Sequence, residues 1–177
     1  EIMRINYKKL FNLRKIASDP KKLLAFLIFA LMIAFVQNYI VQNPSFKAQV
    51  IRVIDGDTIE ISTNNKTSKI RFFGIDAPEL KQNFGKKSKA ALEKILKDKE
   101  VYIFSKNKDN YGRIVAIVKL KDVDINQFLV SQGYAWADTY YTNAYIKEQE
   151  KAQKNKLGLW KDDNPIEPYK WRKQNRF

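Results

Sequence analysis

Residues 49–79 read QVIRVIDGDTIEISTNNKTSKIRFFGIDAPE, and this stretch decides the fold. Gln49 to Ile54 and Asp57 to Ser62 are runs of β-branched and apolar residues separated by Asp55-Gly56, a turn dipeptide, and both read as strands. Thr63-Asn64-Asn65-Lys66 supplies a second turn, and Ser68 to Phe73 a third strand. Short connections between three such runs make an antiparallel meander rather than a set of crossovers.

Working outward, residues 82–97 carry Ala90, Ala91, Ile95 and Leu96 amid Lys and Glu, the pattern of an exposed amphipathic helix. Val101 to Ser105 and Arg113 to Leu120 read as two more strands. Asp124 with Gln127 resembles a capping box that opens a short helix, and Gly133 closes it. A last charged helix is expected over about 142–156. The order is α+β, with a meander suited to a small closed sheet. Beyond Trp160, the tail DDNPIEPYKWRKQNRF holds two prolines and is expected to be an irregular arm over 162–177.

The chain ahead of the meander has a different texture. Residues 1–22 carry seven Lys/Arg against Glu1 and Asp19, a net of +5. Leu23 to Val36 then runs fourteen residues without a polar side chain, and Tyr39-Ile40-Val41 completes a 19-residue stretch. A spanning helix takes about 20 mostly apolar residues, so 23–41 is expected to be a transmembrane signal anchor, with 42–47 as linker. No pair of small residues for cleavage follows it. The basic flank places 1–22 in the cytoplasm and the domain at 48–161 outside it, in a periplasm or at a cell surface; cleavage of the leader gives a secreted protein.

Composition narrows the chemistry. Among 177 residues there is no Cys and no His, which excludes disulfides, thiol nucleophiles, imidazole bases and His-ligated zinc. The formal charge of +14 favours polyanions such as nucleic acid or anionic lipid. Residues 48–161 hold 21 Lys/Arg and 14 Asp/Glu, so half of that excess belongs to the domain and the rest to leader, linker and tail. Any catalysis must use carboxylates, Arg, Lys, Tyr, hydroxyls or a hard metal ion.

Asp57 opens the second strand, and Asp76-Ala77-Pro78-Glu79 ends the third, where Pro78 fixes the turn. A meander with short connections can bring Asp57 and Asp76 together, and converging carboxylates repel unless a cation lies between them. Arg71, five residues before Asp76, points to the opposite face of a flat strand unless twist, a bulge or Gly74 re-aims it. On spacing alone the same residues also read as a hairpin turn and solvated strand-end acids. Phe72, Phe73, Trp136 and Trp160 are expected in the core, and Lys81, Lys86 and Lys87 on a solvated helix face.

Taken in order, DGDT at 55–58, RFFGIDAPE at 71–79, Asp109-Asn110-Tyr111-Gly112-Arg113-Ile114-Val115-Ala116, Leu129 to Ala135, and Leu157-Gly158-Leu159-Trp160 resemble the staphylococcal-nuclease-like (thermonuclease) family over residues 48 to about 160. The resemblance implies a five-stranded Greek-key β-barrel of the OB type with three helices. It also implies a Ca²⁺-dependent phosphodiesterase acting on DNA and RNA. By that resemblance Asp57 and Asp76 ligate the metal with the backbone carbonyl of Ala77, Glu79 orients or deprotonates the attacking water, and Arg71 and Arg113 hold the scissile phosphate. Tyr111, Tyr141 and Tyr140 are the candidate contacts to nucleotide, with Asn110 and Thr139 departing from the family's pattern. A metal and two guanidiniums suit phosphoryl transfer without histidine. The expected partners are nucleic acid and, through the anchor, a membrane, with no obligate protein partner. The alternative is a non-catalytic, membrane-tethered nucleic-acid-binding OB module.

Overall fold

Alternating apolar side chains fold 45–72 into three antiparallel strands: β1 (Ser45–Val53), β2 (Thr58–Thr63) and β3 (Lys66–Phe72). These belong to a computed structural model that describes residues 19–42 and 45–175, divided into two compact units between Gln42 and Asn43. β1 starts earlier than its apolar core suggests, because Phe46 and Lys47 pair with Ile103 and Tyr102. The expected linker at 42–47 is shortened accordingly. Gly74 then turns the chain at φ +72°, a conformation an L side chain resists, into the short strand β4 (Ile75–Asp76).

Helix α1 is Pro20–Gln42 and forms the first unit; leader residues 1–18, and the side chains from 37 to 44 that complete the expected anchor, lie outside the described residues. Most of its described apolar side chains are exposed within the unit, Leu31 at 70% and Phe35 at 71%, with Phe26 half-buried. Among the described residues, no helix is long and apolar enough to cross a membrane.

The second unit continues through α2 (Gly85–Leu96), β5 (Glu100–Lys108), β6 (Ile114–Leu120), β7 (Val123–Asp124), α3 (Ile125–Ser131), β8 (Trp136–Ala137), α4 (Ile146–Lys154), a 3₁₀ turn (Gly158–Lys161) and α5 (Pro168–Gln174). Strand order is β3-β2-β1-β5-β6-β7, and a parallel pairing of β3 with β6 closes five strands into a barrel. Val50, Ile59, Ile61, Ile70, Phe72, Ile103 and Val118 fill it, and Leu92 and Leu96 of α2 and Leu129 of α3 cap it. β4 and β8 form a two-residue ribbon beside the barrel that is too short to leave a sequence signature.

Three features tie the later motifs to this frame. Asp124 accepts from the Gln127 N–H as an N-cap, whereas the Gln127 side chain donates to Glu148 instead of completing the box. Gly133 at φ +68° lies so close to the Leu157 carbonyl that a Cβ there would sit 2.3 Å from its oxygen, and its own carbonyl accepts the Leu159 N–H. Asn126, fully buried, accepts from the Val118 N–H and donates to the carbonyls of Phe73 and Ala116. Asn126→Leu leaves the Val118 N–H and the Phe73 carbonyl short of a partner, while the Ala116 carbonyl keeps the Phe73 N–H, and is expected to cost about 2–4 kcal/mol in urea unfolding.

The C-terminal arm is not irregular throughout. Pro168, with its fixed φ and no N–H to lose, occupies the first turn of α5, and no proline follows to break it. Trp160 is buried and packs edge-to-face with the half-buried Trp136, ring centroids 4.4 Å apart. Phe73 leaves the core, half-buried against Tyr141 at 6.3 Å.

Candidate active site

The turn at Gly74 folds Asp76 back toward Arg71, so β3 and β4 place both residues at one end of the barrel beside Asp57, at the start of β2. Arg71 therefore does not point away from the acids. Its Nη2 donates to Asp76 Oδ1 at 2.9 Å, and Nη1 lies 2.5 Å from Asp57 Oδ2. The Nη1 contact is a close ion pair, so one guanidinium spans both acids. Asp57 Oδ2 also accepts the Ala77 N–H at 2.6 Å, and Oδ1 the Thr58 hydroxyl at 3.1 Å. Asp57 and Asp76 are 6% and 7% exposed.

Two carboxylates so buried and so close are incompletely neutralised. Burial, reinforced by the neighbouring Asp55, pushes the Asp57 carboxyl up to about 6 despite the Arg71 charge. Asp76 is raised too, first by burial and then by Asp57, with Arg172 and Arg71 opposing. Burial works against the charge on Arg71, yet Asp57 and Asp76 hold its guanidinium more firmly protonated than usual. An acid whose folded value is raised binds more protons folded than unfolded, so it weakens the fold above that value and not below the unfolded one. In EDTA the protein is therefore expected to gain about 1–3 kcal/mol as pH falls from 7.5 to 5, with Asp57→Asn flattening the slope of urea-unfolding stability against pH. Asp109, whose partner Arg113 holds it below the ordinary range, opposes this only at more acid pH.

These groups line a cleft of about 510 Å³ that also holds Ala77, Glu79, Tyr111, Arg113 and Tyr141. Arg113 arrives from the turn between β5 and β6. Asp109 fixes that turn by accepting the N–H groups of Tyr111 and Arg113, and its other oxygen accepts Arg113 Nε at 2.7 Å. The guanidinium lies 5.5 Å from the ring centre of Tyr111, which is 86% exposed. Tyr141 is exposed on the rim, whereas Tyr140, stacked edge-on against it, lies outside the cleft lining. Lys81, Lys86 and Lys87 are exposed and line none of it.

Sequence reasoning missed Arg172. From α5 its Nη2 donates to Asp76 Oδ2 at 2.9 Å, while Nη1 donates to Asp76 Oδ1 at 3.1 Å and to Glu79 Oε1 at 2.9 Å. Burial disfavours its charge, but the hydrogen bonds it donates to Asp76 and Glu79 outweigh that and raise its proton affinity. The signal available was Trp171-Arg172 just after a helix-starting proline. Asp138, raised by burial and by Asp76, is a further acid in the lining that the motifs did not indicate.

In total the lining has six acidic and four basic residues, a formal charge of −2 inside a chain of +14. Among the described residues, no three carboxylates lie in metal-ligating array.

The chain matches the family model described as "Staphylococcal nuclease homologue" over residues 69–162. It is 43% identical over 132 residues to an "Uncharacterized endonuclease" of Haemophilus influenzae, covering 73% of this chain and 74% of that one. It is 38% identical over 144 residues to a "Micrococcal nuclease" of Shigella flexneri, covering 74% and 83%. An "Uncharacterized endonuclease" of Escherichia coli is 36% identical over 144 residues, covering 80% and 94%. A closed five-stranded barrel, a cleft built from Asp57, Arg71, Asp76, Glu79 and Arg113, and these matches agree: the chain belongs to the staphylococcal nuclease family of hydrolases.

Proposed function

We propose that this protein is a Ca²⁺-dependent, sugar-nonspecific nuclease that hydrolyses phosphodiester bonds of DNA and RNA. The observation that carries the reading is the convergence of Asp57, Asp76, Glu79, Arg71 and Arg113, spread over 57 positions of chain, on one cleft. Glu79 accepts the proton of the attacking water or orients it. Arg71, at the edge of the cleft beside Asp57 and Asp76, and Arg113, freed from Asp109, grip the phosphate and neutralise the charge that grows on it. Tyr111 and Tyr141 offer ring faces to a base at the rim, a contact worth about 1–3 kcal/mol per base without regard to sequence.

The donor set fits a hard cation. A polyanionic substrate does not enter a cleft of net charge −2 unless added positive charge offsets it. The two buried carboxylates with raised proton affinity are the oxygen donors such an ion takes. Asp57, Asp76 and the Ala77 carbonyl would hold it. An ion bound there would supply Lewis-acid polarisation of a phosphoryl oxygen.

The test is cleavage of single-stranded DNA and of RNA by the full chain in detergent. Cutting is expected in Ca²⁺ and not in EGTA, and Asp76→Asn is expected to lose calcium binding by calorimetry. A folded chain that binds DNA in Ca²⁺ and leaves it intact is instead the tethered binding module.

The same proposal makes residues 23–41, whose last five side chains lie outside the described residues, a membrane anchor with the barrel on the non-cytoplasmic side. Its support is the net +5 leader, the uninterrupted apolar run from Leu23, and the exposure of Leu31 and Phe35. Retention of the protein in carbonate-washed membranes is the expected result, and release into the wash ends that part of the reading.

A further inference from the structure

Residues 163–175 lie beyond the family match, and no step of the reaction above employs them. We propose that this C-terminal segment positions the catalytic carboxylate, with Arg172 clamping Glu79 to Asp76; the proposal rests on the reading of Glu79 as the group that activates water. Glu79 sits on a turn, its side chain 36% exposed, with several rotatable bonds. Alone it would spread over many rotamers, and a base must be held within a fraction of an ångström of its working place. Asp76 is the fixed point, buried and held from the other side by Arg71. One Arg172 nitrogen is shared between Glu79 and Asp76 while the other grips the second Asp76 oxygen. A planar guanidinium thereby sets the relation of the two carboxylates, which a lysine's single ammonium does not reproduce.

The same segment reaches the Glu79 backbone independently. Gln82, buried, accepts the Glu79 N–H through Oε1 at 3.1 Å and donates through Nε2 to the Ile166 carbonyl at 2.6 Å. Glu79 is thus held at its main chain through Gln82 and at its carboxylate through Arg172. The segment is itself moored, since Pro168 is buried, Trp171 lies in the groove beside Phe84 and α2, and Asp162, the residue just before it, accepts from Asn83 at 2.8 Å.

The opposite view makes Arg172 a counter-ion that must leave Asp76 before a cation binds, and it predicts effects of the opposite sign. Arg172→Gln in the full chain in detergent is expected to lower kcat by about 10–100-fold, the usual loss when a partner that orients a working group is removed. Affinity for DNA, read by fluorescence anisotropy with calcium in the inactive Glu79→Gln background, should stay close to that of Glu79→Gln alone and calcium affinity should not rise, while the melting temperature falls because Arg172 is one of the two arginines on the buried Asp76. Arg172→Lys should recover only a small part of the rate. In a Glu79→Gln background, Arg172→Gln should cost nothing more, because it acts through that carboxylate. A chain ending at Glu167 should show the same loss as Arg172→Gln.

An inactive Glu79→Gln chain beside a fully active Arg172→Gln chain overturns this proposal alone. Tighter calcium binding with faster turnover in Arg172→Gln also overturns it and makes Arg172 a competitor. Losses that add in the Glu79→Gln background do the same. Full activity of Glu79→Gln removes the reading of Glu79 and the proposal with it.

Discussion

Arg71→Gln is expected to lower kcat by about 10³–10⁵-fold, the range seen when an arginine that stabilises phosphoryl-transfer charge is removed. The loss should fall on kcat more than on KM, because the guanidinium meets its full share of charge only in the transition state. The same substitution should weaken the fold. Arg71 is the charge between two buried acids, and removing one member of such a group costs about 3–5 kcal/mol. That cost should be largest at neutral pH in EDTA. It should shrink toward pH 5, where Asp57 takes up a proton, and shrink on adding calcium. Urea unfolding under those three conditions, beside single-turnover rates, separates the two effects. A variant that cuts DNA at a tenth of the parent rate would falsify the assigned role.

Glu79→Gln is expected to cost about 10²–10⁴-fold in kcat with the fold intact. Unlike Arg71, Glu79 is partly solvated and its carboxylate bonds a half-exposed Arg172, so stability should change by no more than about 0.5 kcal/mol. Binding to DNA should be preserved. This substitution divides the enzyme from the binding module most cleanly, since a module that only holds nucleic acid has no use for a carboxylate beside its phosphate site. Equal turnover of parent and variant removes the general base from the mechanism.

The elements that declared themselves in the sequence are those whose stability is local. The strands around Ile59, Ile70 and Ile103 alternate, Asp124 caps its helix through a neighbour three residues away, and Asn64-Asn65 takes the positive φ angles that let a tight turn form. The pairing of Asp57 with Asp76 was legible as a possibility, since both stand at strand ends joined by short turns. What locks it was not. Arg71 reaches both acids because Gly74 reverses the chain, which strand periodicity alone does not reveal. Arg172 stands 93 residues from Glu79, and its helix has only seven residues, stabilised by Pro168 and Trp171 packing against distant parts of the chain. No local pattern encodes such a contact. Phe73 looked like core because its neighbours are apolar, but the turn that follows it opens its ring to the cleft.

The parallel pairing of β3 with β6 sets Ile70 beside Ile114, one residue from each of the two arginines assigned to the phosphate. Forty-four positions of chain separate the members of that seam. A growing polypeptide therefore carries the first guanidinium well before the second exists, and even the completed chain lacks the pair until the seam zips shut. Destructive capacity and native topology arrive in one event. On the reading proposed above, an unfolded or half-emerged copy is expected to leave nucleic acid uncut.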